Sequence, residues 1–210
     1  AAENYETDPP LDAAALDEAA AILNAADTPA IFVGSGVFGA EAELLRLAEL
    51  LQAPVIMSRT GRGAISDHHP LAQTMIAGQE LWPGVDAAIA IGTRFVAPSM
   101  AWGRMDDVKT IRLDIDPEQA LKPRAADVTV IARASAGLRA LADRIEAMGR
   151  ARPSRHDEYA ANRAAAQEKL SKLEPQYGFA KAIRDALPED GIVVTDVTQM
   201  ATFLQNWMPV

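Results

Sequence analysis

Two glycines between a short apolar run and an amphipathic helix form the stretch of this sequence best suited to binding a ligand. Residues 30–33 have the length and branching of a strand that is buried on both faces. Gly34 and Gly36 follow directly, and residues 40–51 have the spacing of an amphipathic helix. Glycines let a ligand approach the backbone, and the N–H groups of a first helical turn attract anions. The pattern predicts an anion-binding turn or, equally, a tight turn without a ligand.

A pair of acidic residues ends a second apolar run. Asp114 and Asp116 close residues 110–116, which have the pattern of a strand. A carboxylate at the carboxyl end of a parallel strand can accept a hydrogen bond from a ribose hydroxyl. Asp116 can equally cap the turn that begins at Pro117, and for this residue both interpretations stay open.

A long loop at residues 59–71 carries two arginines and two adjacent histidines. Loops that follow strand ends in a parallel sheet often carry function. Arg59 and Arg62 have two interpretations, phosphate binding and solvated loop charges, and we favour the second. His68 and His69 point in different directions and lack a supporting pattern of acidic residues, so we expect no metal site here.

The elements that must position these residues alternate along the chain. Buried strands are predicted at residues 30–33, 54–58, 86–91, 110–116 and 127–131. We expect Asp12 to open a helix that continues through Leu23, a second helix at 135–148, and irregular structure at 95–107. Strands separated by helices or long loops imply right-handed crossovers. The predicted fold class is α/β, a Rossmann-like parallel sheet with helices on both faces.

Composition excludes several classes of protein. A formal net charge of −9 argues against a nucleic-acid partner, and the lack of cysteine excludes disulfides and cysteine metal sites. No apolar run reaches the length of a membrane span. Residues 1–6 lack the basic and apolar regions of a signal peptide. We therefore expect a cytoplasmic protein with no membrane partner.

The chain changes character after Met148. A basic, proline-bearing stretch precedes a polar helix at about 157–173, and a second unit then begins with a helix at 177–187. A buried strand at 192–195 and the start of another helix follow, which is too little to bury a core, so the chain looks cut. The predicted parts are a linker at 1–10, a central domain at 11–148, a linker and helix at 149–175, and an incomplete α/β unit at 176–210.

These segments, in this order, resemble the thiamine-diphosphate-dependent enzymes of the acetolactate synthase type over nearly the whole chain. The matching stretches are residues 31–36, 53–63, 69–71, 89–95 and 113–117. The resemblance implies a six-stranded central domain followed by the opening of the diphosphate-binding domain. It implies a parent enzyme that acts on a small 2-oxo acid with thiamine diphosphate and Mg2+. It also implies a homodimer or homotetramer in which the missing pyrimidine- and diphosphate-binding domains are the neighbours of this chain.

The resemblance also points to two cofactor-binding regions. Central domains of this family hold FAD, ADP or no nucleotide, and the positions here that match the nucleotide site are Gly34, Gly36, Ser58, Gly92, Arg94 and Asp114. Three places depart from the flavin-binding pattern, namely residues 77–80, Val96 and residues 132–133. The resemblance therefore leaves FAD and ADP open. The residues expected to contact thiamine diphosphate are Val197, Thr198 and Gln199.

The catalytic parts of this family have no counterpart in the sequence. Neither the carboxylate that activates the cofactor nor the Asp-Asn motif that binds magnesium lies in these 210 residues. We therefore expect no catalytic residue, no metal ligand and no activity from the chain alone. Two alternatives remain: a free-standing Rossmann-like nucleotide-binding module, and a scaffold domain without a ligand that serves subunit assembly.

Overall fold

A sheet of six parallel strands forms the centre of the structure, a computed structural model that describes residues 8–188 and 190–209. The strand order is β3-β2-β1-β4-β5-β6. The strands are β1 (Pro29–Val33), β2 (Val55–Met57), β3 (Ala72–Gln73), β4 (Ala87–Ile91), β5 (Lys109–Asp114) and β6 (Val128–Ile131). The predicted Rossmann-like α/β fold is confirmed, because every neighbouring pair of strands is parallel. Residues 1–7 of the predicted linker lie outside the described residues, and the predicted domain limits stay predictions.

Five of the strands correspond to the predicted apolar runs, and β3 was missed. All residues of β1, β2 and β4 are buried, as expected for strands covered on both faces. Strand β3 pairs with β2 through only two residues. A run of two residues is too short to carry a periodic pattern, so sequence reasoning had no signal for it.

Nine α-helices accompany the sheet among the described residues. They are α1 (Ala13–Ala25), α2 (Glu41–Leu51), α3 (Met75–Leu81), α4 (Val96–Ala101), α5 (Pro117–Ala120), α6 (Ala134–Met148), α7 (His156–Ser171), α8 (Gln176–Ala186) and α9 (Gln199–Trp207). The expected cap at Asp12 is present, because its carboxylate accepts from the N–H groups of Ala14 and Ala15 at 2.9 and 3.1 Å. The expectation of irregular structure at 95–107 was wrong, since α4 lies within that range.

Two hydrophobic layers cover the sheet. On one face, α1, α2 and α6 pack on side chains such as Ile31, Ile89 and Leu113. On the other face lies an aromatic cluster in which Phe32 contacts Trp82 and Phe95 edge-on, with ring centroids 5.8 and 4.9 Å apart. Because both faces are filled, the edges of the sheet are the places where side chains can meet a ligand.

The predicted strand at residues 192–195 does not form. Residues 191–196 have no regular structure, and the side chains of Ile192 and Val194 are 86% and 90% exposed. A strand needs a neighbour to pair its backbone N–H and C=O groups, and among the described residues none lies beside this segment. The second unit as described consists of α8 and α9, which share a small apolar cluster with α7.

The basic stretch after α6 attaches the chain to α1. Arg150 donates to the carbonyl oxygens of Ala25 and Ala26 at 3.0 and 3.1 Å, and Arg152 donates to those of Leu23 and Asn24. The last carbonyl groups of a helix have no partner within the helix and attract cations. These two arginines are therefore structural contacts that hold the stretch after α6 against the end of α1.

Candidate functional site

The edge at which the parallel strands end, called here the carboxyl edge, collects most of the predicted nucleotide-site residues. The chain runs from β1 outward to β2 and β3, then returns to place β4 on the other side of β1. The order of the sheet therefore reverses between β1 and β4. Ligands of open α/β sheets bind in the crevice at such a switch point.

The glycines at this point hold two turns in direct contact. Gly36 N–H donates to the carbonyl oxygen of Gly92 at 3.1 Å, and Gly34 N–H donates to that of Ile91 at 3.1 Å. A Cβ atom at Gly36 would lie 2.7 Å from the Cα atom of Gly92, and Gly92 itself has φ +52°. Glycine is required here because the turns after β1 and β4 touch through their backbones.

A cleft of about 300 Å³ lies on the β5 side of these turns. We call it the Asp114 cleft; its lining includes Gly36, Phe38, Gly92, Asp114, Arg133 and Ser135. Asp114 is half-buried, and one of its carboxylate oxygens accepts the N–H of Asp116 at 3.1 Å. The carboxylate therefore has a fixed position at the end of β5 and retains acceptor capacity toward the cleft.

A second cleft of about 560 Å³ lies on the β2 side. We call it the Arg94 cleft; its lining includes Phe32, Ser58, Arg59, Thr93, Arg94 and Phe95. Gly92 lines both clefts, so they adjoin at the switch point. A ligand longer than either cleft could extend from one to the other across Gly92.

A buried arginine holds the loop that carries Arg94. Arg112, only 2% exposed, donates to the carbonyl oxygens of Thr93 at 2.6 Å, Arg94 at 3.2 Å and Gln119 at 3.3 Å. Burial lowers the pKa of Arg112, and the neighbouring Asp114 opposes that shift. Its Nε is buried without a hydrogen-bond partner among the described residues. Sequence reasoning missed this residue, although an arginine inside an apolar strand was a visible signal.

The structure brings together five of the six residues predicted for the nucleotide site. Gly36 and Asp114 line the Asp114 cleft, Ser58 and Arg94 line the Arg94 cleft, and Gly92 lines both. Gly34 lines neither cleft; a Cβ atom there would lie 2.4 Å from the carbonyl oxygen of Gly92, so its role is to let the turns pack. Nucleotide binding by these residues stays a prediction.

Asp116 and Arg62 have structural partners. The carboxylate of Asp116 accepts from the N–H groups of Glu118 and Gln119 at 2.8 and 3.1 Å, so it caps α5. Arg62 forms two hydrogen bonds with Asp67 at 2.7 and 2.5 Å and donates to the carbonyl oxygen of Met208 at 2.8 Å. It connects the loop after β2 to the end of α9.

The residues expected to contact thiamine diphosphate line neither cleft. Thr198 caps α9, because its hydroxyl accepts from Ala201 N–H at 3.2 Å. The side chain of Val197 is 82% exposed, and Gln199 is exposed at the first position of α9. They are grouped at one helix N-terminus, as the predicted diphosphate contact requires. Their role stays a prediction.

His69 and His156 share an acidic partner, Glu49, that sequence reasoning missed. Nε2 of His69 and Nε2 of His156 lie 3.1 and 3.2 Å from the two carboxylate oxygens of Glu49. Nδ1 of His69 accepts Leu71 N–H at 3.3 Å, which assigns the ring proton to Nε2 and directs it toward Glu49. Burial lowers the pKa of His69. Within the described ranges, no group of three or more metal-binding side chains is arranged to hold a metal ion.

Comparison with known proteins places this fold in a family. A family model described as the thiamine pyrophosphate enzyme central domain matches residues 16–141, more than half of the chain. The chain belongs to the thiamine-diphosphate-dependent enzymes of the acetolactate synthase type. The matched residues include β1 to β6 and both clefts.

Relatives within this family cover different parts of the chain. The acetolactate synthase of Mycobacterium bovis is 36% identical in an alignment 126 residues long, which covers 54% of this chain and 20% of that protein. A protein of Methanocaldococcus jannaschii described as a probable acetolactate synthase large subunit is 31% identical over 92% of this chain and 37% of its own length. The chain thus spans between a fifth and about two fifths of these relatives.

A solved structure shares the fold. A protein from Mycobacterium smegmatis assigned as a thiamin diphosphate-dependent enzyme superposes over all of this chain and 42% of its own, with a TM-score of 0.70 and 20% identity. At this identity the likeness concerns the fold alone.

No helix in the described part of the chain has the length and apolarity needed to cross a membrane.

Proposed function

We propose that this chain is the central domain and the opening of the diphosphate-binding domain of a longer enzyme that cleaves carbon dioxide from a 2-oxo acid. The part of the 2-oxo acid that remains after carbon dioxide has left is either released or joined to a second carbonyl compound. The enzyme is therefore a lyase or a transferase of the acetolactate synthase type. The observation that carries this proposal is the match of the central-domain model to residues 16–141. The predicted homodimer or homotetramer remains part of the proposal.

Thiamine diphosphate, when bound, supplies the electron sink that makes loss of carbon dioxide feasible. In this chain, Val197, Thr198 and Gln199 would meet its diphosphate at the N-terminus of α9, where backbone N–H groups favour an anion. The described residues provide no ligand set for the accompanying Mg2+. We assign no catalytic residue to this chain and propose that it is inactive without the rest of the enzyme, because the resemblance places the activating carboxylate and the magnesium-binding Asp-Asn motif outside these 210 residues.

The central domain would bind an adenine nucleotide at the switch point, either FAD or ADP. The residues fit such a group: Asp114 can accept from ribose hydroxyls, and the contact between Gly36 and Gly92 leaves backbone exposed for close approach. Arg94 and Ser58 would meet the diphosphate in the adjoining cleft. The nucleotide would support the fold and take no part in the chemistry.

Carbon dioxide release from a panel of 2-oxo acids tests the proposal on the full-length enzyme that contains this chain. We expect release that depends on both thiamine diphosphate and Mg2+. Gln199→Ala should raise the concentration of thiamine diphosphate needed for half-maximal activity about tenfold, as loss of a hydrogen bond to a charged group allows.

Gln205→Ala, at the other end of α9, is the matched control and should leave that concentration unchanged. Absence of release from every acid, together with absence of thiamine diphosphate binding, would contradict the proposed chemistry. The alternative of a Rossmann-like nucleotide-binding module would then lead, with the two clefts as its candidate site.

A further inference from the structure

Two arginines differ from all the others in the described part of the chain. Every other arginine there pairs with a carboxylate or donates to a carbonyl oxygen, as Arg139 does with Glu43 and Arg163 with the backbone of Ala72. The guanidinium groups of Arg59 and Arg94 do neither with any described residue. Both side chains are exposed, and both line the Arg94 cleft.

The rest of that cleft has a lining suited to an anion. It contains the hydroxyl groups of Ser35, Ser58, Thr60 and Thr93 and no carboxylate. In a protein with a formal net charge of −9, a cleft with two unpaired guanidinium groups and no acidic residue stands out. Its field favours a negatively charged group, because nothing in the lining neutralises the two arginines.

The backbone segments that carry Arg59 and Arg94 are both fixed by hydrogen bonds to neighbouring elements. Arg59 begins a short 3₁₀ turn, Arg59–Gly61, which is fixed to the end of β1 because Ser58 N–H donates to Val33 O at 3.0 Å. A Cβ atom at Gly61 would lie 2.5 Å from the same Val33 oxygen, so the turn lies directly on β1. The carbonyl groups of Thr93 and Arg94 are held by Arg112 on the opposite wall.

We propose that Arg59 and Arg94 together clamp the phosphate groups of a nucleoside diphosphate, and that Arg59 determines the specificity of the site. The proposal rests on the nucleotide site proposed above and chooses between its two ligands. With the ribose at Asp114, the diphosphate crosses Gly92 and ends between the two guanidinium groups. Arginine binds phosphate through paired, charge-assisted hydrogen bonds, which matches this arrangement.

An uncharged ring system in the Arg94 cleft would be disfavoured. As the ester substituent of FAD, the ring would take the place of the third free oxygen and the additional negative charge that the terminal phosphate of ADP offers to the two guanidinium groups, and it would remove water from them. Arg59 therefore selects ADP over FAD, whose flavin ring would have to occupy the same cleft.

Calorimetric titration of the 210-residue chain with ADP, FAD, riboflavin and adenosine tests the proposal. We expect ADP to bind more tightly than FAD, with an affinity that falls as salt is raised. Arg59→Ala and Arg94→Ala should each weaken ADP binding about tenfold or more, and Arg59→Lys should restore part of the loss. Adenosine affinity should be unchanged in Arg59→Ala, since the clamp contacts only the phosphates.

Arg124→Ala is the matched control, because it also removes one exposed positive charge. Arg124 pairs with Asp106 near the start of β6, at the opposite edge of the sheet, so ADP affinity should not change. Thermal unfolding of each variant checks that the fold is retained.

Tight binding of FAD or riboflavin that does not change in Arg59→Ala would contradict the proposed phosphate clamp. It would still be consistent with a nucleotide site at the switch point. Unchanged ADP affinity in Arg59→Ala would overturn the role of Arg59. Absence of binding by every compound would overturn the clamp and the nucleotide site together. None of these results would touch the thiamine diphosphate proposal, which the carbon dioxide assay tests.

Discussion

In two regions of this molecule, the sequence predicts a ligand site made of a strand followed by a helix N-terminus. The structure forms the predicted strand in only one of them. At the carboxyl edge, β1 and β4 are buried and hydrogen-bonded on both sides, and their turns touch at Gly36 and Gly92. At residues 191–198 no strand forms, and the apolar side chains face solvent. The same local pattern becomes a defined site only where neighbouring strands fix the backbone.

The largest expected difference between the two regions concerns isoleucine truncation. Ile89 is fully buried in β4, so Ile89→Ala should lower the free energy of unfolding by about 2–5 kcal/mol through lost burial and a cavity. Ile192→Ala removes the same atoms from an exposed segment and should change it by less than about 0.5 kcal/mol. Urea unfolding measures both. Equal losses would mean that residues 191–196 are packed, which would remove the contrast.

A smaller effect is expected at the contact between the two turns. Gly36→Ala adds a methyl group that would lie 2.7 Å from the backbone of Gly92, so we expect roughly 1–3 kcal/mol of destabilisation. Gly84→Ala adds the same group where no atom lies within 4 Å and should be close to neutral. Urea midpoints for the pair report the difference. A neutral Gly36→Ala would show that the turns do not require close backbone contact.

The smallest expected effect concerns α7, the helix that packs against α9 beside the second region. His69 and His156 share Glu49 and thereby attach the start of α7 to the central domain. Burial, His156 and Arg163 lower the pKa of His69 below its usual value near 6.5, against the influence of Glu49. The unfolded chain then binds the proton more readily, so this contribution to stability is present at high pH and is lost as pH falls from about 6.5 through the folded-state pKa.

Unfolding free energies between pH 5 and pH 8 test this linkage. His69→Gln should flatten the pH dependence, whereas His68→Gln, at an exposed neighbouring position, should keep the wild-type slope. A slope that survives in His69→Gln would remove this histidine from the connection.

The sheet was largely predictable because β1 and β4 are uninterrupted apolar runs and because β5 and β6 carry apolar residues at alternate positions. The cap at Asp12 and the position of Asp114 at the end of β5 were predictable because the signal for each is local, and the role of Asp114 stays a prediction. Helix α4 was missed because residues 95–107 contain glycine and proline, and β3 because it has only two residues. The false strand at 192–195 had a suitable local sequence and lacked the neighbours that no local pattern reports.

The candidate site depended more on tertiary contacts. Arg59 and Arg62 carry the same charge three residues apart, and only the structure shows that Arg62 pairs with Asp67 while Arg59 lines a cleft. Arg112 holds the Arg94 loop from a neighbouring strand, which sequence spacing does not reveal. The tertiary fold decides which charged side chains lie next to each other. Sequence reasoning could therefore name the charged residues, but it could not assign their partners.

Hydrogen–deuterium exchange with and without ADP tests most directly whether the carboxyl edge is the nucleotide site. We predict slower exchange on ADP addition at residues 34–36, 92–95 and 114–116, where the turns line or support the two clefts. Exchange at residues 190–198 should be unchanged, because that segment lines neither cleft. Protection confined to residues 190–198, or no protection at saturating ADP, would contradict a nucleotide site at the switch point.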